Sequence, residues 1–153
     1  MVQAVVKAEE NKMKYFDDFE VGEKIVTKGR SITESDIVLF AAFSGDWHQL
    51  HTNIEFAKTG PFGERIAHGF LVLAVSSGLM PLEEMAVLAF YGMDDVRFLT
   101  PTKIGDTIHV EMEVLEKKEK NEKSGVVSFK SSIKNQKEED VAVFTMLMAL
   151  HKK

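Results

Sequence analysis

The second half of the chain is a series of apolar segments joined by short polar turns. In "TIHVEMEVLEKKEK" the apolar positions alternate with polar ones, and Ile108, Val110, Met112 and Val114 share one face. The segments "MAVLAFYGMDDVRFL", "VVSFKSSI" and "VAVFTMLMALH" are also typical of strands. Because the connections between these segments are short, the pattern predicts an antiparallel sheet.

The first half of the chain has a helical period instead. The segment "ESDIVLFAAFS" predicts a helix over 34–44, with Thr33 as its N-cap and Asp36 at the third helical position. This helix is apolar nearly all round, so we expect it to be buried. Gly45 should end it, and a strand running from about 25 to 32 should precede it.

A second apolar helix is predicted from about Gly69 to Met80, and Pro81 helps to end it. Between the two helices lie a polar loop, residues 46–52, and a short helix "IEFAK" for which Asn53 is the expected cap. The predicted order is strand, helices and then four strands. This order indicates an α+β fold with the helices packed on one face of the sheet.

Composition narrows the functional classes. The 153 residues suit one domain, 44% of them are hydrophobic, and a net charge of −5 argues against a nucleic-acid or anionic-membrane partner. The chain has no cysteine, which excludes disulfides and thiolate sites. The N-terminus lacks the secretory pattern, and no segment has the length of a membrane span. We therefore expect a soluble, cytoplasmic protein with a flexible segment at 1–14 and a single domain at 15–153.

The loop "SGDWHQLHTNIEFAKTG" concentrates the titratable side chains. Asp46 and His51 would be held between buried segments, where an acid and an imidazole can orient one water molecule and the imidazole can take its proton. Alternatively, Asp46 caps a turn and His51 is a partly buried histidine. Asp46, His48 and His51 could also ligate a metal together with His68, although D-x-H-x-x-H is no standard zinc spacing.

The segment "AHGFL" places Gly69 at the expected start of the second helix. A helix N-terminus presents unpaired N–H groups, and a glycine there lets a ligand carbonyl approach the backbone, as in an oxyanion hole. Gly69 could instead only permit a tight turn. Ser77 lies about two helical turns further on, where it could brace a catalytic side chain or bond its own backbone.

Three blocks in order, "YFDDFEVGEKI", "SGDWHQLHTNIEFAKTGPFGERIAHGFL" and "VRFLTPTKIGDTI", resemble the MaoC-like, R-specific enoyl-CoA hydratase family. The resemblance covers about residues 15–150. It implies a hotdog fold, in which an antiparallel sheet wraps around a long central helix. It also implies a homodimer or higher homo-oligomer with the substrate tunnel near the interface.

The resemblance assigns roles residue by residue. Asp46 and His51 match the catalytic pair of the family, Gly69 matches the residue whose backbone N–H binds the thioester oxygen, and Ser77 matches a supporting serine. The implied activity is a lyase reaction of fatty acid metabolism, the reversible hydration of trans-2-enoyl-CoA to (R)-3-hydroxyacyl-CoA. Coenzyme A is then part of the substrate, and the resemblance implies neither a separate cofactor nor a metal.

Two departures from the family pattern keep other functions open. His48 and Gln49 stand where the family often has Asn and Pro, which changes both the hydrogen-bonding groups and the stiffness of the loop. A hotdog acyl-CoA thioesterase and a non-catalytic acyl-CoA-binding module are the alternatives.

The basic side chains that could meet the phosphates of coenzyme A are Lys58, Arg65, Arg97 and Lys103. The apolar side chains that could line an acyl pocket are Phe43, Phe62, Phe70 and Leu73.

Overall fold

The computed structural model describes residues 12–153 and shows an antiparallel sheet with helices on one side. The helices are α1 (Glu34–Ser44), α2 (Gln49–Thr52), α3 (Ile54–Lys58) and α4 (Gly69–Leu79). The strands are β1 (Lys24–Val26), β2 (Arg30–Ser31), β3 (Val87–Phe98), β4 (Thr107–Glu119), β5 (Ser124–Lys134) and β6 (Asp140–His151). The predicted α+β class is confirmed.

The strands follow the order β1-β4-β5-β6-β3, and β2 also pairs with β4. Every pairing of these strands is antiparallel, as the short connections predict. The register places Val110 opposite Ile133, and Ile133 opposite Ala142. Because side chains at matched positions share a face, these pairings build one continuous apolar surface on the sheet.

Helix α4 packs against β4 on this apolar surface. The alternation predicted for β4 is confirmed, since the four apolar positions between 108 and 114 are each at most 2% exposed. Leu71, Val72 and Leu79 form the buried face of α4. The core therefore fixes the rotation of α4 about its axis and the place where its first residue lies.

Helix α1 has the predicted bounds, but the prediction that it is buried is wrong. The Thr33 side chain accepts from the Asp36 backbone N–H at 3.2 Å, and Gly45 has a left-handed φ of 81°. Ile37 and Ala41 are buried, whereas Leu39 is 68% exposed and Phe43 is 91% exposed. When a helix has apolar residues on every side, its sequence does not indicate which side packs against the rest of the protein.

The single strand expected over 25–32 is also wrong, because it is broken into β1 and β2. At Thr27 the backbone N–H donates to Val110 O at 2.9 Å, and the Val110 N–H donates to the Thr27 hydroxyl at 2.9 Å. A side-chain oxygen thus replaces the backbone acceptor that a regular ladder would use. The pairing with β4 is interrupted at this point and resumes at Arg30.

Most of the predicted flexible segment, residues 1–11, lies outside the described residues. Lys14 lies inside the structure and forms a parallel bridge with Met85. In residues 12–153 no helix has both the length and the apolar character that crossing a bilayer requires.

Candidate active site

The loop after α1 is ordered by its own side chains. The Asp46 N–H donates to the Ser44 hydroxyl at 3.1 Å, and one Asp46 carboxylate oxygen accepts from the His48 N–H at 3.2 Å. The stretch predicted as a polar loop, residues 46–52, contains the short helix α2, for which His48 Nδ1 accepts from the Leu50 N–H at 3.1 Å. These contacts fix Asp46 two residues before the N-cap of α2 and His51 within the helix.

His51 has one ring nitrogen committed to the backbone. Its Nδ1 lies 2.7 Å from Ile66 O, and because a carbonyl oxygen only accepts, we assign the proton to Nδ1. The lone pair is then on Nε2. Burial lowers the pKa of His51 below its ordinary value of 6.5, since desolvation disfavours the imidazolium. His51 is therefore arranged as a neutral proton acceptor.

His68, the residue before α4, contacts both members of the pair. Its Nε2 lies 2.9 Å from the backbone oxygen of Asp46, and its ring stacks on His51 with centroids 3.9 Å apart and planes 28° apart. On another side, the Phe40 ring of α1 lies 4.9 Å away. The side chain is almost fully enclosed, at 2% exposure.

The predicted pair is brought together. One carboxylate oxygen of Asp46, one ring nitrogen of His51 and one of His68 all lie within 4.8 Å of one another. A water with two hydrogen bonds of ordinary length at a tetrahedral angle spans roughly 4.6 Å. A separation of at most 4.8 Å between these Asp46 and His51 atoms thus allows one bridging water. Three such atoms could also hold a metal ion, but His51 Nδ1 and His68 Nε2 already face carbonyl oxygens.

Gly69 begins α4 as predicted, directly after His68. Among residues 12–153 its N–H has no hydrogen-bond acceptor, as the first position of a helix allows. A Cβ atom at Gly69 would come 2.8 Å from the ring of Phe98 in β3. A side chain at this position would displace that ring, so glycine keeps the backbone accessible beside it.

Ser77 makes no contact with the pair in the described chain. Its hydroxyl donates to Ala74 O at 2.7 Å, and its side chain is exposed. A bond to the backbone of its own helix was the alternative to a bracing role. A supporting role for Ser77 stays a prediction.

Three of the four basic candidates already face carboxylates. Lys58 lies 2.7 Å from Glu55, Arg65 lies 2.6 Å from Glu34, and Lys103 lies 2.7 Å from Glu64. Arg97 donates instead to the backbone oxygen of Val96 at 2.8 Å. Of the four apolar candidates, Phe43, Phe62 and Phe70 are exposed and Leu73 is partly buried.

The sequence indicates His68 only as a possible metal ligand and does not predict its contacts with Asp46 and His51. The signal was present in "AHGFL", where His68 precedes the glycine that marks the helix start. The contact of Phe98 with Gly69 carries no local signal, because it joins a strand to a helix far apart in sequence.

Together, the antiparallel sheet and the central helix define a hotdog-fold protein, with an acid–imidazole pair beside the N-terminus of that helix. Residues 18–136 match the family described as "MaoC like domain". The match covers more than half of the chain, so the protein belongs to this family.

Two curated relatives carry enzymatic names. The 3-hydroxybutyryl-CoA dehydratase of Methylorubrum extorquens is 37% identical over 102 residues, which cover 67% of this chain and 64% of that protein. The (R)-specific enoyl-CoA hydratase of Rhodospirillum rubrum is 36% identical over 94 residues, which cover 61% of this chain and 65% of that protein. The chain thus spans just under two thirds of the length of both relatives.

Solved structures agree on the fold. A protein from Archaeoglobus, described as a monoamine oxidase regulatory protein, has a TM-score of 0.88 at 42% identity and covers 93% of this chain and 97% of that chain. A Mycobacterium tuberculosis protein described as a double hotdog fold has a TM-score of 0.83 at 20% identity, covering 92% of this chain and 45% of that chain. The predicted hotdog fold is confirmed.

Proposed function

We propose that this protein catalyses the reversible hydration of trans-2-enoyl-CoA to (R)-3-hydroxyacyl-CoA. The observation that carries the proposal is the spacing of Asp46 and His51, whose ligand atoms lie within 4.8 Å of each other at the start of α4. The names of the dehydratase and hydratase relatives support the same reaction class.

The reaction has two requirements, because water is a poor nucleophile and the alkene is activated only through the thioester carbonyl. First, a water must be held and deprotonated beside C3. Asp46 would hold that water, and His51 Nε2, the nitrogen not committed to Ile66 O, would take its proton as the C3–O bond forms. A proton then returns to C2, and the pair acts as one titrating unit.

Second, negative charge that grows on the thioester oxygen must be stabilised. The Gly69 N–H has no acceptor in the described chain and lies at the positive end of α4. A donor of this kind contributes about 3 kcal/mol in known oxyanion holes. We propose that the thioester oxygen binds there, and that coenzyme A enters as part of the substrate with no further cofactor.

We also propose that the active form is a homodimer joined along β3. This strand forms the edge of the sheet, and its side chains Leu88, Phe90 and Tyr91 are 51–60% exposed. Phe70 of α4, which follows the Gly69 that lies against Phe98 of β3, is 77% exposed. A long apolar edge strand invites pairing with another strand, and a second copy offers the same surface by two-fold symmetry.

One assay separates the candidate functions. Purified protein is mixed with crotonyl-CoA, and the enoyl absorbance and free thiol are followed together. A hydratase removes the enoyl absorbance without releasing thiol, a thioesterase releases thiol, and a binding module changes neither. If crotonyl-CoA is inert, longer, branched and dicarboxylic enoyl-CoA esters are assayed in the same way. Thiol release without loss of the enoyl group would contradict the proposal.

A further inference from the structure

His68 occupies a defined place between two rings and a carbonyl. Its Nε2 faces the backbone oxygen of Asp46 at 2.9 Å, so Nε2 carries the proton. Its Nδ1 is buried and has no hydrogen-bond partner among residues 12–153. The ring is held between His51, with centroids 3.9 Å apart, and Phe40, with centroids 4.9 Å apart. The contacts therefore favour one tautomer and one ring orientation.

These contacts connect the two members of the proposed pair. Within the described part of the chain, no hydrogen bond joins the side chains of Asp46 and His51 directly. His68 touches both of them, the first through its backbone carbonyl and the second through its ring face. A change in His68 would alter the separation and the relative orientation of Asp46 and His51.

We propose that His68 is a positioning residue that sets the geometry of Asp46 and His51 for holding one water. This inference rests on the proposed function and deepens it. His68 does not act on the substrate itself, because only 2% of it is exposed. It acts through the two side chains that face the solvent, Asp46 and His51.

A histidine that only fills space would not explain this arrangement. An apolar side chain would fill the same volume without leaving the buried Nδ1 unpaired, and an unpaired buried polar atom is costly. The imidazole supplies two properties at once. It has a flat face that stacks on His51 and an N–H that reaches the Asp46 carbonyl.

Three variants separate these properties. His68→Phe keeps the ring and removes the donor, His68→Gln keeps an N–H donor and removes the ring, and His68→Leu removes both. We expect the first two to lower kcat about 10-fold or more while KM changes less than about 2-fold, since positioning errors act on the chemical step. His68→Leu should lower kcat furthest. His151→Ala, which removes an exposed histidine, is the matched control and should leave kcat unchanged.

A spectroscopic measurement tests the inference without any activity. In ¹⁵N NMR of the wild-type imidazoles, we expect His51 to be the Nδ1–H tautomer and His68 the Nε2–H tautomer. In His68→Gln, which removes the stacked ring, the His51 ring signals should shift in position, while the Nδ1–H tautomer set by Ile66 O is kept. The Nδ1–H tautomer at His68 would overturn the proposal, as would folded Phe and Gln variants that keep the wild-type kcat.

The two proposals fail in different ways. If the wild type has no hydratase activity but shows the expected tautomers, the proposed function is wrong and the positioning geometry stands. If hydration is observed but insensitive to His68, the positioning role is wrong and the function stands. Should His68→Phe fail to fold, as circular dichroism would show, the wild-type spectrum and His68→Gln still decide.

Discussion

Strands β3 and β4 belong to the same sheet and are both rich in apolar residues, yet they end in opposite environments. On β4, Ile108 and Val110 are fully buried, because β4 has strands on both sides and α4 over its inner face. On β3, Phe90 is 58% exposed and Tyr91 is 60% exposed, and within residues 12–153 the strand pairs only with β6. The apolar residues of β4 stabilise the chain itself, whereas several of those on β3 stay exposed and form the proposed dimer surface.

The difference between the buried strand β4 and the exposed strand β3 matters for function, because the candidate site lies between them. Gly69 begins the helix that packs on β4, and it lies against Phe98 at the end of β3. The covered region fixes the position of the helix start. Phe98 of β3 lies beside that helix start, and in the proposed dimer a second copy would cover the exposed strand next to it.

The largest effect is expected from a substitution in the covered region. Phe129 in β5 is fully buried and meets Phe19 edge to face, with centroids 5.6 Å apart. Phe129→Ala should lower the free energy of unfolding by about 3–5 kcal/mol, because it removes buried apolar area and leaves a cavity. Urea denaturation measures this loss. A loss below about 1 kcal/mol would show that the sheet interior is not the stabilising core.

Gly69→Ala tests the contact between the first residue of α4 and the end of β3. The added methyl would meet the Phe98 ring at 2.8 Å, so either the ring or the helix start must move. We expect hydration kcat to fall about 10-fold or more while the free energy of unfolding changes by less than about 1 kcal/mol, because the Phe98 side chain is exposed and can swing away.

The double variant with Phe98→Leu is the control, since it relieves the contact and should recover part of the activity. Undiminished activity in Gly69→Ala alone would argue against the proposed position of the thioester oxygen.

Two leucines with similar exposure, one on β3 and one on β4, test whether β3 forms the dimer interface. Leu88 on β3 is 51% exposed and Leu115 on β4 is 52% exposed, so the two differ in strand and hardly in exposure. Leu88→Lys should weaken dimerisation about 10-fold or more, because a charge would be buried at the proposed interface. Leu115→Lys should leave the dimer intact.

Sedimentation velocity over a concentration series measures both variants. Equal behaviour of the two lysine variants, or a wild type that is monomeric at high concentration, would exclude β3 as the interface.

The smallest effect expected is in the pH profile. Burial lowers the pKa of His51 below 6.5, so the neutral base persists into mildly acidic solution. We expect the acid limb of kcat/KM to have its midpoint below pH 6.5. The same shift contributes stability that is present above pH 6.5 and is lost as pH falls through the lowered pKa. An acid limb with its midpoint above 6.5 would contradict this assignment.

Local signals explain what the sequence could predict. The ends of α1 follow from the Thr33 cap and the left-handed Gly45, which act within a few residues. The burial of β4 follows from strict alternation over eight positions. Both features depend on neighbouring residues, so both are readable from the chain alone.

Contacts between distant segments explain what the sequence could not predict. Thr27 breaks its strand through a hydrogen bond to Val110, 83 residues away. The exposure of Phe43 depends on which elements cover α1 and not on α1 itself. In the candidate site, Asp46, His51 and Gly69 carry recognisable residue types, whereas the bridging position of His68 appears only when the segments are assembled.

The most direct test of the central claim compares the hydration rates of the wild type, Asp46→Asn and His51→Gln with crotonyl-CoA. If Asp46 and His51 share the reacting water, each substitution should lower kcat by about 10²–10⁴-fold while circular dichroism shows an unchanged fold. Wild-type turnover in either folded variant would contradict the account.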